Sequence, residues 1–185
     1  DIAFASSLEM GDSVLGYSYH HDASVQQGQL PPSLGSVSNK QRPSLITKMP
    51  SYTGSVPLLQ TAATHGGFVT TFPDDDGILR RSPMLIRYGN ELYSSLSLEM
   101  VRLFFLIDEV GINMATIGDV EVVESITLGS ITIPTDGEGR AIIPFRSKSP
   151  AFKYVSATDI LEKKIDLGLF ENKIVLVGAT ALGLS

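Results

Sequence analysis

Ser95-Leu-Ser-Leu-Glu-Met-Val-Arg-Leu-Phe-Phe-Leu-Ile-Asp108 is the stretch on which the fold class turns. Leu96, Met100, Leu103 and Ile107 recur at three- and four-residue steps with Leu98, Val101 and Phe105 beside them, so the spacing predicts a helix over 95–108. Only Glu99 and Arg102 put charge into its middle. A helix apolar around so much of its circumference is expected to be buried between a sheet and another layer, or between subunits. Phe104 and Phe105 do not easily face one core together, which makes a dimer seam the alternative to plain core packing.

Strand patterns lie on both sides of this helix. Upstream, Met84, Ile86 and Tyr88 alternate with Leu85 and Arg87, and Gly89-Asn90 supplies hairpin chemistry before Glu91-Leu-Tyr93. Further back, 68–72 reads as a strand, Pro73-Asp-Asp-Asp-Gly77 as a turn, and Pro57 as the first residue of a short helix that ends before Gly66-Gly67. Leu15, Tyr17 and Tyr19 predict a strand over 14–19, and Ile2, Ala5 and Leu8 predict one or two helical turns that Gly11 stops. Between them, half of the 36 residues of 21–56 are Ser, Gln, Gly or Pro. That stretch is read as a long surface loop at 21–56.

Downstream of Gly111 the pattern becomes strand-rich. Runs at 120–123, 126–128, 130–133 and 141–145 predict a meander or hairpins. Ser156-Ala-Thr-Asp159 then offers a helix start, with the Ser hydroxyl facing the third amide, and Lys173-Ile-Val-Leu-Val-Gly178 has the β-branched continuity of a strand buried on both faces. The expected class is therefore α/β, with α+β possible, and a mixed sheet.

The 185 residues suit one domain and leave little room for two. An apolar share of 43% and a mean hydropathy of +0.15 predict a packed core. A net charge of −6 and a pI near 5.0 have the wrong sign for neutralising phosphates, so no nucleic acid is expected as a partner. The lack of cysteine removes disulfides, thiolate zinc sites and Cys nucleophiles. No run approaches the roughly 20 apolar residues of a membrane span, although 174–185 carries no charge and reads as cut from something longer.

The densest charge cluster is Asp74-Asp75-Asp76-Gly77 followed by Arg80-Arg81. Three adjacent carboxylates invite a metal, and a metal-assisted hydrolase using Asp74, Asp75 and Asp76 is one function they would serve. Neighbouring side chains diverge, however, and consecutive aspartates do not match the alternating EF-hand loop. The plainer reading is a turn whose arginines pair with its carboxylates, and the third is a loop that touches a ligand through Asp76, Arg80 and Arg81. His20, His21 and His65 show no ligand spacing and read as ordinary surface or capping residues. There is no Gly-x-Ser-x-Gly elbow for a serine nucleophile, and 178–183 lacks the residues of a phosphate-binding loop. No cofactor is expected.

Order and spacing add what single motifs do not. Asp1-Ile-Ala-Phe-Ala, Gly67-Phe68-Val69, Asp74-Asp-Asp-Gly-Ile-Leu-Arg-Arg81, Tyr93-Ser-Ser-Leu-Ser-Leu-Glu99, Ile133-Pro-Thr-Asp-Gly137, Phe152-Lys-Tyr-Val-Ser-Ala157 with Asp159-Ile-Leu161, and Phe170-Glu-Asn-Lys-Ile-Val-Leu-Val-Gly-Ala-Thr-Ala181 together resemble the CHASE2 family of extracytoplasmic sensor domains. The resemblance covers most of the chain. It implies a single sensor domain over 1–185, truncated at its N-terminus because the family's preceding strand and helix do not appear. It further implies the periplasmic portion of a bacterial inner-membrane protein, held in the membrane by flanking helices and joined to a cytoplasmic output. That output would be an adenylate or guanylate cyclase, or a protein kinase, with the cyclase favoured. The fragment itself would be no enzyme. It would bind an unknown small-molecule ligand as a homodimer, and the runner-up is a structural spacer that binds nothing.

Overall fold

The structure, a computed structural model, describes residues 1–36, 42–145 and 152–179. The opening helix forms as expected: α1 spans Ile2–Glu9 and buries Ala5. In β1 (Val14–His20), Tyr17 and Tyr19 turn inward at the two-residue period of a strand. The following segment departs from the surface-loop reading of 21–56. It contains four short strands, β2 (Gln26–Gln27), β3 (Gly35–Ser36), β4 (Lys48–Met49) and β5 (Ser51–Thr53), and it buries Ile46, Met49 and Ser51. Composition averaged over 36 residues concealed Ile46 and Met49, which join the two cores, and Tyr52, which packs against the second. Residues 37–41 of that loop lie outside the described residues.

After α2 (Pro57–Ala63), which begins at its proline as predicted, β6 (His65–Phe68) pairs parallel to β1 from Val14↔His65 to Tyr17↔Phe68. The first sheet runs β2-β5-β1-β6. Gly66-Gly67, read from sequence as a stop before a strand at 68–72, instead lies inside the strand. A Cβ on Gly67 would sit 2.4 Å from Leu96 Cα, so the missing side chain is what lets the next helix begin on top of β6.

The predicted hairpin is present. After β7 (Arg81–Pro83), strands β8 (Leu85–Tyr88) and β9 (Glu91–Ser94) pair antiparallel about Gly89-Asn90, with Gly89 at φ +61°. They make the centre of a second sheet, β3-β9-β8-β4. The following helix, α3, spans Leu96–Phe104, and the Ser95 hydroxyl caps it by accepting from the Leu98 amide at 3.2 Å. It ends short of the expected 108 because Leu106 takes φ +53°. Its buried face centres on Leu98 and Glu99, while Phe104 and Phe105 are 45% and 56% exposed, so it is not buried all round as expected.

The strand-rich region is a meander of β10 (Val110–Ile117), β11 (Val120–Leu128) and β12 (Ile131–Pro134). The expected runs at 120–123 and 126–128 are one strand, because a bulge opposite Asn113 and Met114 absorbs the polar break at Glu124-Ser125. Finally β13 (Arg140–Ile142) pairs antiparallel with β7. One core gathers Ile46, Met84, Leu85, Leu92, Leu98, Val123, Ile126 and Leu128, and a second gathers Tyr17, Tyr19, Met49, Phe68, Ile86 and Tyr93. Each such large side chain, fully buried, contributes about 1.5–3 kcal/mol.

The chain divides into two compact units, Asp1–Ile143 and Pro144–Ser185. In the second, α4 (Ala157–Leu161) starts after Ser156 as predicted, but the Ser156 side chain makes no capping hydrogen bond. A 3-10 turn, Leu167–Phe170, is capped by Asp166 through the Gly168 amide at 3.0 Å. The expected central strand at 173–178 is not formed. Ile174 to Val177 are exposed, Val177 by 94%, and no described residue offers them a backbone ladder. A β-branched run becomes a buried strand only where partner strands and covering layers meet it. Among the described residues no helix is long and apolar enough to cross a membrane.

Candidate functional site

The aspartate-arginine motif folds into a clamp. The Gly77 amide donates to the Asp74 carbonyl at 2.8 Å and the Asp74 amide to that of Ile78 at 3.0 Å, closing the turn around Gly77 at φ +78°. Arg80 grips Asp76 with both terminal nitrogens, at 2.9 and 2.7 Å. Arg81 donates Nη2 and Nε to Asp74 Oδ1 at 2.7 and 3.2 Å, and its Nη1 crosses to Asp136 Oδ2 at 2.8 Å. Asp136 also accepts from Arg140 Nε at 2.9 Å and from the Glu138 and Arg140 amides at 3.1 and 3.0 Å. The loop before β7 is thereby pinned to the loop before β13.

Charge within the clamp is matched internally. Hydrogen bonding to Arg81 holds the Asp74 carboxyl below the ordinary carboxylate range, and hydrogen bonding to Arg80 does the same for Asp76. For Asp136 burial acts in the opposite sense, and the Arg140 amide and guanidinium outweigh it. Asp75 is exposed and has no side-chain partner among the described residues. The three aspartates diverge, and among the described residues no three His, Asp or Glu side chains converge on a metal-sized site. The geometry gives the hydrolase reading of Asp74, Asp75 and Asp76 no footing.

A second constellation, which sequence reasoning did not single out, surrounds α3. Glu99 is 5% exposed, and an unpaired carboxylate at that depth would be costly. Its Oε2 accepts from Arg102 Nε and from the Ser94 hydroxyl, each at 3.1 Å, while its Oε1 meets Arg102 Nη2 and, at 3.0 Å, His65 Nδ1. Burial opposes ionisation of Glu99, but the Arg102, His65 and Ser94 hydrogen bonds prevail and hold its carboxyl below the ordinary range. Arg102 Nη1 continues to the carbonyls of Ile107 and Asp108 at 3.0 and 3.1 Å, so one guanidinium ties helix to following turn.

His65, Glu99 and Arg102 form the inner wall of a groove of about 570 Å³. Pro31 to Leu34, Thr64, Gly66 and 108–110 complete its lining. The volume lies in the range of small-molecule sites, about 300–1,000 Å³. None of Asp76, Arg80 and Arg81 lines it. His20 and His21 keep their ordinary reading: His20 Nε2 meets the Thr53 hydroxyl at 2.8 Å, and His21 packs edge-on against Phe72. His65 does not, because β6 delivers its ring to a buried ion pair.

Against this geometry the comparisons with known proteins are specific in one respect. The family model described as CHASE2 domain matches residues 1–185. The chain belongs to the CHASE2 family. CHASE2 domains are extracytoplasmic sensor domains rather than catalytic ones. Neither the search of curated proteins nor that of solved structures returns a match.

In this CHASE2 domain the groove residues left one trace in the sequence. Glu99 and Arg102 are the sole charges in the middle of an apolar helix, three residues apart, and that spacing puts them on one face. The trace does not extend to His65, whose approach depends on the parallel pairing of β6 with β1 and on the glycines that seat α3. Most of the Gly178-to-Gly183 loop lies outside the described residues.

Proposed function

We propose that this CHASE2 domain is the stimulus-receiving part of a bacterial membrane-bound signalling protein and that a small polar molecule enters at the groove beside His65, Glu99 and Arg102. The observation that carries the reading is the coincidence of a groove of ligand size with the most deeply buried ion pair of the described chain. A ligand seated there touches Thr64 at the end of α2, His65 and Gly66 of β6, Glu99 and Arg102 of α3, and 108–110 at once. It would therefore distinguish two arrangements of these elements, and only such a difference in affinity shifts a population. In this reading the domain is periplasmic, acts as a homodimer in which the exposed Phe104 and Phe105 contribute to the seam, and reports to an adenylate or guanylate cyclase.

Asp76, Arg80 and Arg81 support a second reading as ligand contacts. Arg80 and Asp76 are each half exposed, so an anion competing with Asp76 has access to the guanidinium.

Thermal-shift screening of the 185-residue chain against small metabolites tests the proposal. A ligand at a hundred times its dissociation constant adds about 2.7 kcal/mol. A hit that disappears when Ser33→Trp fills the groove, and survives Arg80→Ala, supports the groove. Silence across the library favours a spacer that binds nothing, and a hit lost only in Arg80→Ala favours the second reading.

A further inference from the structure

One atom on the groove wall has two incompatible partners. His65 Nδ1 lies 3.0 Å from Glu99 Oε1 and 3.0 Å from Arg102 Nη2. A ring nitrogen either carries a proton and donates or is bare and accepts. Bare Nδ1 accepts from Arg102, whereas protonated Nδ1 donates to Glu99 and turns an N–H toward the guanidinium. Once both ring nitrogens carry protons no acceptor is left for Arg102, and two cations stand in contact.

Arg102 has little freedom to yield alone. Its Nε and Nη2 are held by Glu99, and its Nη1 by the carbonyls of Ile107 and Asp108. Displacement of the guanidinium is therefore passed to 106–108. That turn holds Leu106 at φ +53°, a left-handed conformation that a non-glycine residue keeps only when its surroundings enforce it. Arg102 Nη1 holds the carbonyls of the two residues that follow Leu106.

We propose that His65 is a proton-operated latch on the groove: its protonation exchanges the Arg102-to-His65 hydrogen bond for one from His65 to Glu99 and releases the turn at 106–109. The proposal rests on the groove being the receiving site and names how that site is regulated. The charged and titratable groups around His65 are Glu99 and Arg102 from α3, and Asp108 and Glu109 from the turn that completes the groove. β1 presents none beside it, since Val14, its register partner, and the adjoining Ser13 and Leu15 are uncharged. Tyr17 of β1 stays neutral, because burial chiefly, and the nearby Glu99 charge to a lesser degree, push its ionisation upward. α2 carries no charge and contributes the Gln60 amide to the His65 carbonyl at 3.3 Å. Imidazole is the side chain that ordinarily changes charge between about pH 5 and 8, which sets the range to be searched.

The test is an NMR titration of the ¹⁵N-labelled 185-residue chain from pH 8.5 to 5.0, reading the three imidazoles, the Arg102 Nε–H and the backbone amides. His20 and His21, neither of which contacts an arginine among the described residues, serve as references within the same sample. The amides of 106–109 and the Arg102 Nε–H are expected to shift with the midpoint of the His65 ring, and in His65→Gln that shift is lost while His20 and His21 titrate as before. If His65 titrates in the wild-type chain while 106–109 and Arg102 stay fixed, the latch is overturned, and so it is if the same shifts persist in His65→Gln. Should the variant fail to fold, the wild-type titration alone decides. No ligand is needed, so a groove that binds no metabolite leaves a positive result standing, and a groove that binds one while 106–109 stay fixed overturns the latch alone.

Discussion

Among the described residues of the unit Asp1–Ile143, two arginine-carboxylate networks differ in what adjoins them. The clamp of Asp74, Asp76 and Asp136 with Arg80, Arg81 and Arg140 joins two loops, with half-exposed ends and no histidine among its members. The triad of His65, Glu99 and Arg102 is more deeply buried, includes an imidazole and borders a groove. Similar chemistry thus serves two purposes. Where every carboxylate is matched by a guanidinium near solvent, the network fixes geometry over the whole neutral range. Where one position is held by an imidazole, whose ring nitrogen either donates or accepts, the proposed latch would give the network two states.

The largest difference is expected from removing one carboxylate in each network. Glu99→Ala leaves Arg102, with a side chain 15% exposed, charged and unpaired, together with the Ser94 hydroxyl. Breaking a buried pair in this way costs about 3–5 kcal/mol. Asp136→Ala removes four accepted hydrogen bonds but leaves Arg81 bonded to Asp74, and Arg140, as little exposed as Arg102, bonded to Glu138, at a cost of about 1–2 kcal/mol. Urea denaturation of both variants gives the order, and a larger loss for Asp136→Ala would invert the comparison.

A smaller effect separates the networks by pH. The carboxyls of Glu99, Asp74, Asp76 and Asp136 are all held below their ordinary values. Each contributes stability that is complete above the unfolded-state value, near 4, and is lost as pH falls through the depressed folded-state value. The clamp therefore leaves the melting temperature unchanged between pH 7 and 5 and weakens only below about pH 4. Thermal melts of Asp136→Asn should show a shallower acid limb than wild type and the same profile above pH 5. A profile that diverges at pH 6 would mean that the clamp, too, has a neutral-range switch.

Sequence and structure agree most closely where local pattern is sufficient. The hairpin about Gly89-Asn90, the Pro57 helix and the core of α3 follow from turn chemistry and periodicity within a dozen residues. The clamp, too, was legible as a turn with arginines at hand, because Asp76 and Arg80 are four residues apart. Its connection to Asp136 was not, since that contact spans 55 residues. His65 was missed for the same reason, and Gly66-Gly67 were misread because a glycine that admits a helix looks the same as one that ends it. The run at 173–178 failed in the opposite sense: its local preference for a strand is strong, but a strand is completed only by a neighbour.

The smallest expected effect is that of Arg80→Ala. Its guanidinium is half exposed and bonded mainly to an equally exposed Asp76, the class of ion pair that contributes least. No measurable shift in melting temperature is expected, and a marked loss would show that the clamp is held at its outer rather than its inner end.

The claim that the stimulus arrives at the groove and not at the clamp is tested most directly by mapping backbone amide shifts as a thermal-shift hit is titrated into the 185-residue chain. The account predicts that saturating changes gather at 31–34, 64–66, 99–102 and 108–110. Changes that gather instead at 74–81 and 136–140, leaving the groove amides in place, would contradict it.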